Sequence, residues 1–523
     1  MPVYQQGSLN TTSLVVPDLY VQIVAPQNLV LNGVPTNIVG MVGTSSWGPS
    51  NQPVAVATMS DYAASFGPIA ARKYDMGTAV ATAVQQGASS FRCVRVTDGT
   101  DTAASYALGL SGGSFAVLLT ARYTGSLGNT VTVALQPGST PGQWMLIVHM
   151  PGSVPEVYPN LVAPTSPLFW QALVSAVNSG SGPLRGPSQV VVATIGTVTS
   201  SAPVTIAAQS LSGGSDGAVG VTAAMIVGQD LIPRTGMFAL RSQGCGIGVL
   251  ADLDDPTQWS TEAAFGLSEG VYMVLTGPIG QTIAGAITAK QQAGLDTYAA
   301  KLMFGDWVFW NDQTNGLLRL VSPQGFVAGR LANLSPEQSS LNKPLYSVVG
   351  TQRSGVPQSG QTSTYSDAEL GMLFQNGIDV ISNPQPGGAY WGVRCGHNTS
   401  SNAATNGDNY TRLTNYVAAT LAAGMGQFVG QVINTALFQQ IRSTQLSFLQ
   451  TLFAQGILGS TDGTPPFTVI CDSSNNPFSR TSLGFVQSDA QVQFQSINEK
   501  FIVNVEGGQT VAIQRQVLPG GVV

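Results

Sequence analysis

Charge is what this chain has least of. Its 523 residues include 20 lysines and arginines and 26 aspartates and glutamates, so 9% carry charge, where roughly a quarter is usual. Five lysines, fifteen arginines, no basic run and a pI near 4.9 give no cationic footprint for a phosphate backbone, so no nucleic-acid partner is expected. His149 and His397 are the only histidines, which narrows imidazole chemistry at once. Cys93, Cys245, Cys395 and Cys471 lie in or beside apolar runs (FRCVRV, GCGIGVL, YWGVRCG, TVICD) and far from any CxxC spacing. They are expected to be buried, reduced thiols with no disulfide framework and no zinc site. No Gly-Lys dipeptide occurs, which excludes a Walker A phosphate loop. The opening MPVYQQGSLNTT has neither the basic nor the apolar region of a secretory signal. The long uncharged stretch 413–441 is interrupted by Asn415, Gln427, Gln431, Asn434, Gln439, Gln440 and glycines, so membrane insertion is not expected.

Apolar material is plentiful. With 43% hydrophobic residues and 61 glycines, the chain can fill several cores, while Ser, Thr, Asn, Gln and Gly must make up its surface, a composition suited to closely apposed subunits. Residues 1–30 read as an extended arm with one short strand, in which Leu19, Val21 and Ile23 alternate with Tyr20, Gln22 and Val24. Residues 31–99 and 221–400 read as one α/β domain. Its expected elements are the strands NIVGMVGT, PVAVAT and SFRCVRVT, helices near 60–65 and 75–86, GIGVLAD, VYMVLTG and WVFWND as buried parallel strands, helices at 257–268, 281–293 and 367–375, and GIDVIS. Residues 100–220, short β-type runs between Gly, Pro and Ser clusters with one helix near 169–178, read as a mostly β insert. In 401–506 a long helix is capped by Asn434, carries Leu437, Phe438, Ile441, Leu449, Leu452 and Phe453 on one face and stops at Gly456. The strands FTVICD, one near 490–494, and KFIVNVE follow; Phe501, Ile502, Val503 and Val505 belong to the last. The tail 507–523 alternates like a strand without a hairpin partner. The fold class is therefore a multidomain mixture of α/β and α+β with an extended arm at each end. A lone strand cannot satisfy its own backbone, so each arm needs a sheet edge, its own chain's or a neighbour's.

Catalytic signals are weak. Gly266-Leu267-Ser268-Glu269-Gly270 matches G-x-S-x-G, with Asp379 and His397 following in the chain order of an α/β-hydrolase triad, but the match ends a helix where a nucleophile elbow must begin one. A helix C-cap is the simpler reading. Gly244, Gly246 and Gly248 lack the third glycine of a dinucleotide fingerprint. Asp252, Asp254 and Asp255 cluster at a strand end, where Pro256 at the first position of a helix favours an acidic first turn over a metal site. Cys395 and His397 have no further ligand nearby in sequence. No catalytic residue, cofactor or metal is expected.

Several passages together resemble the sheath protein of contractile phage tails. Val16-Pro17-Asp18-Leu19-Tyr20-Val21 resembles that family's opening; Val42-Gly43-Thr44, Trp47-Gly48-Pro49, Gln52-Pro53-Val54 and Phe66-Gly67 resemble its next series, and SFRCVRV its strand ending V-R-V. SPQGFVAG, YWGVR, the long helix ending FAQGILG, and the strand from Phe467 to Asn476 are similar to later motifs. The likeness covers 15–96 and 320–506, and leaves 100–220 unmatched as a variable outer domain. Departures are Pro17-Asp18, Gln22-Ile23 and a basic pair, in the helix before the long one, reduced to Arg412. The resemblance implies a virion structural subunit, assembled in the host cytoplasm, with 401–506 as the inner domain lining a tail tube and 31–99 with 221–400 as the middle domain. It implies stacked hexameric rings in a helical sheath, and tail tube, baseplate and tail terminator proteins as partners. Contraction from a metastable extended state would drive the tube through the host envelope. It also implies that both arms add strands to neighbouring subunits, with Leu19, Tyr20, Val21 and Ile23, and Val511, Ile513, Arg515 and Val517, at subunit interfaces and Phe501, Ile502, Val503 and Val505 in the recipient sheet. The alternatives are the sheath of a pyocin-like or extracellular injection system, a hydrolase using Ser268, Asp379 and His397, and a β-rich tail adhesin.

Overall fold

The computed structural model describes residues 3–6, 20–23, 31–110, 113–162, 165–183, 185–355, 364–460 and 462–505. At its centre lies a seven-stranded sheet in the order Ile378–Asp379, Ala300–Met303, Tyr272–Thr276, Ile247–Leu250, Val39–Gly43, Phe91–Arg95, Pro53–Val56. Every neighbouring pair is parallel except the last, where Pro53–Val56 runs antiparallel to Phe91–Arg95. From Ala300–Met303 across to Val39–Gly43, four strands are buried at every residue. That is why their sequences are continuous apolar runs with little alternation. Val39, Met41, Ile247, Val249, Tyr272 and Val274 feed the face covered by the helices Met76–Gln85 and Gln324–Ala332. Val42, Leu250, Met273, Leu275 and Leu302 feed the other, covered by Trp259–Glu269, Ile283–Gln292 and Asp367–Gln375. The first two helices touch backbone to backbone: a Cβ on Gly329 would lie 2.4 Å from the Ala83 carbonyl oxygen. The glycines of SPQGFVAG are therefore packing spacers.

Between Phe91–Arg95 and Ile247–Leu250 the chain leaves to build two antiparallel sheets. One has the order Glu156–Val162, Gln143–His149, Thr132–Pro137, Ile206–Ser210; the other Val191–Ile195, Val117–Ala121, Ser105–Leu108. The helix Ser166–Ser179 supplies Phe169, Trp170 and Leu173 to their common core. At the neck the Asp98 N–H donates to the Gly217 carbonyl oxygen at 2.8 Å, and Thr102 bridges Ser215. Buried Arg95 donates to the carbonyl oxygens of Gly48, Thr124 and Asp216, stitching the insert to the sheet it leaves. Beyond the central sheet, the helices Asp408–Met425 and Thr435–Ala454 pack with the strand pair Phe467–Ile470 and Asp489–Val492 around Phe448, Leu449 and Leu452.

Four expectations need correction. WVFWND is not a parallel strand of the central sheet: Val308–Asp312 lies antiparallel to Leu317–Val321 and to Gly350–Thr351, because Asn315-Gly316, with Gly316 at φ 65, turns the chain straight back as a hairpin. KFIVNVE forms no strand among the described residues: 501–505 is extended without a ladder. Pro256 precedes its helix by a turn; Gln258 is the cap and Trp259 the first helical residue. The N-terminal arm, read above as carrying one short strand, holds two, Val3–Gln6 and Tyr20–Ile23.

One buried group makes stability depend on pH. Glu262 is completely buried and, among the described residues, neither of its carboxyl oxygens is hydrogen-bonded; Trp259 Nε1 on the preceding turn likewise has no partner there. Burial, and then the charge of Asp255, push its pKa well above the usual carboxylate range. The folded chain holds the neutral acid, so this stabilisation is complete below the unfolded value, about 4.5, and is lost as pH rises towards the folded one. Glu262→Gln should therefore unfold at a higher temperature than the native chain at pH 8 and close to it at pH 4.5. Parallel pH profiles for the two in a thermal scan would contradict this.

Candidate assembly site

The residues singled out for chemistry are not brought together. Ser268 sits near the end of the helix Trp259–Glu269, where its hydroxyl donates to the Phe265 carbonyl oxygen at 3.0 Å, and Gly270 follows as a left-handed C-cap at φ 67. Asp379 is bound to Lys301, and His397 Nε2 lies 2.7 Å from Glu499. Asp252, Asp254 and Asp255 go separate ways. Asp252 is buried and pushed up to about 6 by that burial, Asp254 pairs with Lys73 at 2.7 Å, and Asp255 accepts from the Thr257 N–H. All four cysteines are buried and unpaired. Parallel sheets of this kind hold ligands where the strand order reverses, here at the ends of Val39–Gly43 and Ile247–Leu250. That crevice is filled by the chain itself: the Thr44 N–H donates to the Tyr74 carbonyl oxygen at 2.7 Å, and a Cβ on Gly43 would meet the same oxygen.

Sheet edges separate the parts of the molecule more clearly. Natural proteins blunt exposed edges with short strands, proline, bulges or side-chain plugs. In the central sheet one edge strand is the two-residue Ile378–Asp379 and the other begins with Pro53. In the insert, Glu156–Val162 carries Pro159, Asn160 at φ 61 and a register shift, and Ile206–Ser210 carries another shift. The outer edge of Val191–Ile195 is plugged by Asn178, whose amide both donates to the Ala193 carbonyl oxygen (2.8 Å) and accepts from its N–H (2.9 Å). The pair Phe467–Ile470 and Asp489–Val492 differs: its register is continuous over four residues, neither strand contains proline, and an open cleft of about 950 Å³ lies beside it, lined by 464–468 and 491–496.

The helix Asp408–Met425 connects this sheet to the rest. At its start, the Lys301 ammonium lies 2.7 Å from Asp379 Oδ2 and 3.1 Å from Asp408 Oδ1, all three side chains at most 1% exposed. Asp408 also accepts from Tyr272 Oη at 2.6 Å and from the Ser340 hydroxyl and N–H; Asp379 accepts from the N–H groups of Val380, Cys395 and Gly396. Burial alone would lower the lysine's pKa and raise that of Asp408, but their mutual attraction wins, so Lys301 is raised and Asp408 lowered. The helix thus starts from a charged, fully bonded joint in the central sheet.

Both arms are rooted on the same helix. Near its end, the Val34 N–H donates to Thr420 Oγ1 at 3.2 Å, and Leu31 lies against Gly424, where a Cβ would sit 2.0 Å from Leu31 Cδ2. Near its start, Asn409 Nδ2 donates to the Gln495 carbonyl oxygen at 3.0 Å, and His397 holds Glu499 just before the tail. Phe501, Ile502, Val503 and Val505 then stand 64 to 86% exposed, an alternating segment with no covering surface among the described residues. Tyr20, Val21 and Ile23 fall in the strand Tyr20–Ile23, which pairs in parallel with Val3–Gln6 of the same chain. Leu19, Val511, Ile513, Arg515 and Val517 lie outside the described residues. Sequence reasoning missed the joint because Lys301, Asp379 and Asp408 are scattered over more than a hundred positions; a lysine inside the strand AKLM, buried at every residue, was the available signal.

No protein-family model matches the sequence, and no curated protein matches it significantly. Solved structures do match. The sheath tail protein of Desulfitobacterium hafniense superposes with a TM-score of 0.58 at 16% identity over 87% of this chain and 93% of that one. The Listeria innocua sheath tail protein gives 0.60 at 15% identity over 85% and 90%. The PVC sheath of an extracellular contractile injection system, in its contracted state, gives 0.54 at 12% identity over 95% and 99%. The chain has the tail-sheath fold. Within it Arg412, the remnant of the basic pair noted above, is an internal brace: buried, it donates to the carbonyl oxygens of Leu334 (2.7 Å) and Ser335 (2.9 Å). Burial lowers its pKa to about 10.

Removing one partner from a buried ion cluster strands the others without compensation, typically at about 3–5 kcal/mol. Lys301→Met in this sheath-fold chain should be destabilised by that order in urea unfolding, and Asp296→Asn, an exposed carboxylate that accepts from the Ser401 N–H and hydroxyl, by no more than about 1 kcal/mol. Equal, small losses in both would remove the joint from its central place.

Proposed function

We propose that this chain is the structural subunit of a contractile tail sheath, which polymerises helically as stacked rings around a tail tube. Contraction from a metastable extended state would drive the tube through a host envelope. The observation that carries the reading is the rooting of both arms at different points of one helix, beside a strand pair with a continuous, proline-free register and an open cleft along it, in a chain with the tail-sheath fold. At 1.5 Å per residue, Asn409 and the Thr420–Gly424 turn of this helix hold the two roots about 17–23 Å apart, a separation that lets each arm reach a different neighbour.

In this reading 1–30 and 507–523 are the arms, 401–506 the inner domain facing the tube, 31–99 with 221–400 the middle domain, and 100–220 the outer one. Tyr20, Val21 and Ile23, with Leu19, add to one neighbour's sheet; Val511, Ile513, Arg515 and Val517 add to another's, and Phe501, Ile502, Val503 and Val505 complete the recipient sheet. Each added strand contributes a few backbone hydrogen bonds at about 1 kcal/mol net, and many linked contacts make the lattice persist. Contraction is then a cooperative switch between two packings of the same subunits, needing no nucleotide. The remaining partners are the baseplate and tail terminator, and the subunit acts as a particle component with no catalytic role. A second reading, the sheath of an extracellular injection system, is favoured by the likeness to the PVC sheath along 95% of this chain.

Negative-stain microscopy of the purified chain across a concentration series tests the proposal, with hollow striated cylinders expected. Deleting 508–523 should leave folded, monodisperse subunits that no longer polymerise. Normal cylinders from that truncation would sink the arm assignment.

A further inference from the structure

After the short helix Ala223–Val227 the chain forms a closed, braced loop over 228–236. Its ends touch: the Thr235 N–H donates to the Gln229 carbonyl oxygen and the Gln229 N–H to Thr235 Oγ1, both at 3.1 Å, and a Cβ on Gly228 would lie 2.1 Å from the Thr235 carbonyl oxygen. Asp230 pairs with Arg234 at 3.0 Å and with Arg241 at 2.8 Å, and the Gly236 N–H donates to Asn51 Oδ1 at 2.9 Å. Held in this way, Leu231 and Ile232 stand 74 and 85% exposed at the tip. Two large apolar side chains fixed in water do nothing for their own subunit, and a loop already braced loses little further freedom when a partner covers it.

A receiving surface lies at the other edge of the central sheet. An open pocket of about 510 Å³ is walled by Ile283, Phe304 and Met372 and rimmed by Asp306, Arg353 and Glu369; Met372 and nearby Ile279 are about half exposed. The Phe304 N–H donates to the Asp379 carbonyl oxygen at 2.8 Å, which sets the pocket against the edge strand Ile378–Asp379. Asn51, which moors the tip, donates its N–H to the Arg95 carbonyl oxygen at 2.7 Å and leads into the opposite edge strand Pro53–Val56. Between Ala300–Met303 and Phe91–Arg95 lie four strand spacings, about 19 Å, so a tip moored at one cannot fill the pocket at the other within a single chain. The charges are complementary: two arginines and one aspartate surround the tip, and two carboxylates and one arginine surround the pocket.

We propose that Leu231 and Ile232 of one copy of this chain seat in the pocket beside Phe304 and Met372 of a second copy. This rests on the assembly role argued above. Tip and pocket are different surfaces at opposite edges of one sheet, so the contact is head-to-tail: each copy gives one tip and receives one, and repetition closes a ring or winds a helix. It joins folded cores directly and needs neither arm.

The test places cysteines in the full chain, whose four native thiols are buried. Ile232→Cys, Met372→Cys and the double variant are assembled, treated with a short bismaleimide and run on a denaturing gel. The double variant should give a ladder of dimers, trimers and longer chains, a one-to-one mixture of the single variants should stop at dimers, and each single variant alone should stay monomeric. In parallel, Ile232→Asp should raise the concentration at which cylinders form several-fold at an unchanged melting temperature, and Ile232→Lys should raise it less, because carboxylates outnumber arginine at the pocket. Cylinders without a ladder, or an unchanged concentration for Ile232→Asp, would overturn the proposal. Met372→Asp that melted early while Ile232→Asp assembled normally would also overturn it, giving the pocket to the chain's own 356–363. If the full chain formed no cylinders, a ladder from the concentrated double variant would keep the contact and sink the sheath reading, and no ladder would sink both.

Discussion

A lysine ammonium sealed between two carboxylates holds this molecule together as a single mechanical object. Lys301 comes from a central strand, Asp379 from the edge strand beside it, and Asp408 from the first turn of the helix that carries both arm roots. Three charges out of water are costly, and such a cluster survives only if every lone pair and proton finds a partner; Tyr272, Ser340 and the N–H groups around Asp379 provide them. The joint is therefore geometrically exacting. A helix set on it cannot tilt or slide by a small amount without stranding a charge, so the helix is held rigidly to the central sheet.

The division between closed and open surface follows the same economy. The central sheet hides its edges by brevity and proline, and the insert hides its own by a bulge, a register shift and the Asn178 plug. The C-terminal strand pair keeps a regular register beside a cleft. In a chain with 9% charged residues, edge chemistry takes over the work that surface charge does elsewhere in keeping unwanted copies apart.

Much of the architecture was legible in the sequence because buried parallel strands write themselves as apolar runs: VGMVG, IGVL and YMVLT are found where they were expected. Strong caps were legible too. Asn434 accepts from the Leu437 N–H at 2.8 Å, and the helix Asp367–Gln375 matches its expected bounds, closed by a capping box at Ser366 and Glu369. WVFWND was misread because burial and pairing direction are independent, and the turn at Asn315-Gly316 decided the direction. The helix Asp408–Met425 was placed around Arg412 by the resemblance alone; the residues did not show its bounds, because Gly407 gives it no side-chain cap and its face is interrupted by polar residues that serve tertiary contacts, such as Asn409 and Thr420. The assembly site was legible only as two lone strands; that their roots share a helix is a fact of three-dimensional packing that no local pattern encodes.

The insert's neck has a consequence for how such chains diversify. The Asp98–Gly217 hydrogen bond and the Thr102–Ser215 and Ser105–Ser212 bridges bring the two ends of the insert side by side, and Arg95 ties that neck to the central sheet through three backbone carbonyls and the Thr124 hydroxyl. Side chains beyond the neck are thus free to change without disturbing the register of the parallel strands. The neck is therefore the natural graft point at which the module can be exchanged, provided Trp47, which the central domain lends to the insert's core, keeps a partner there.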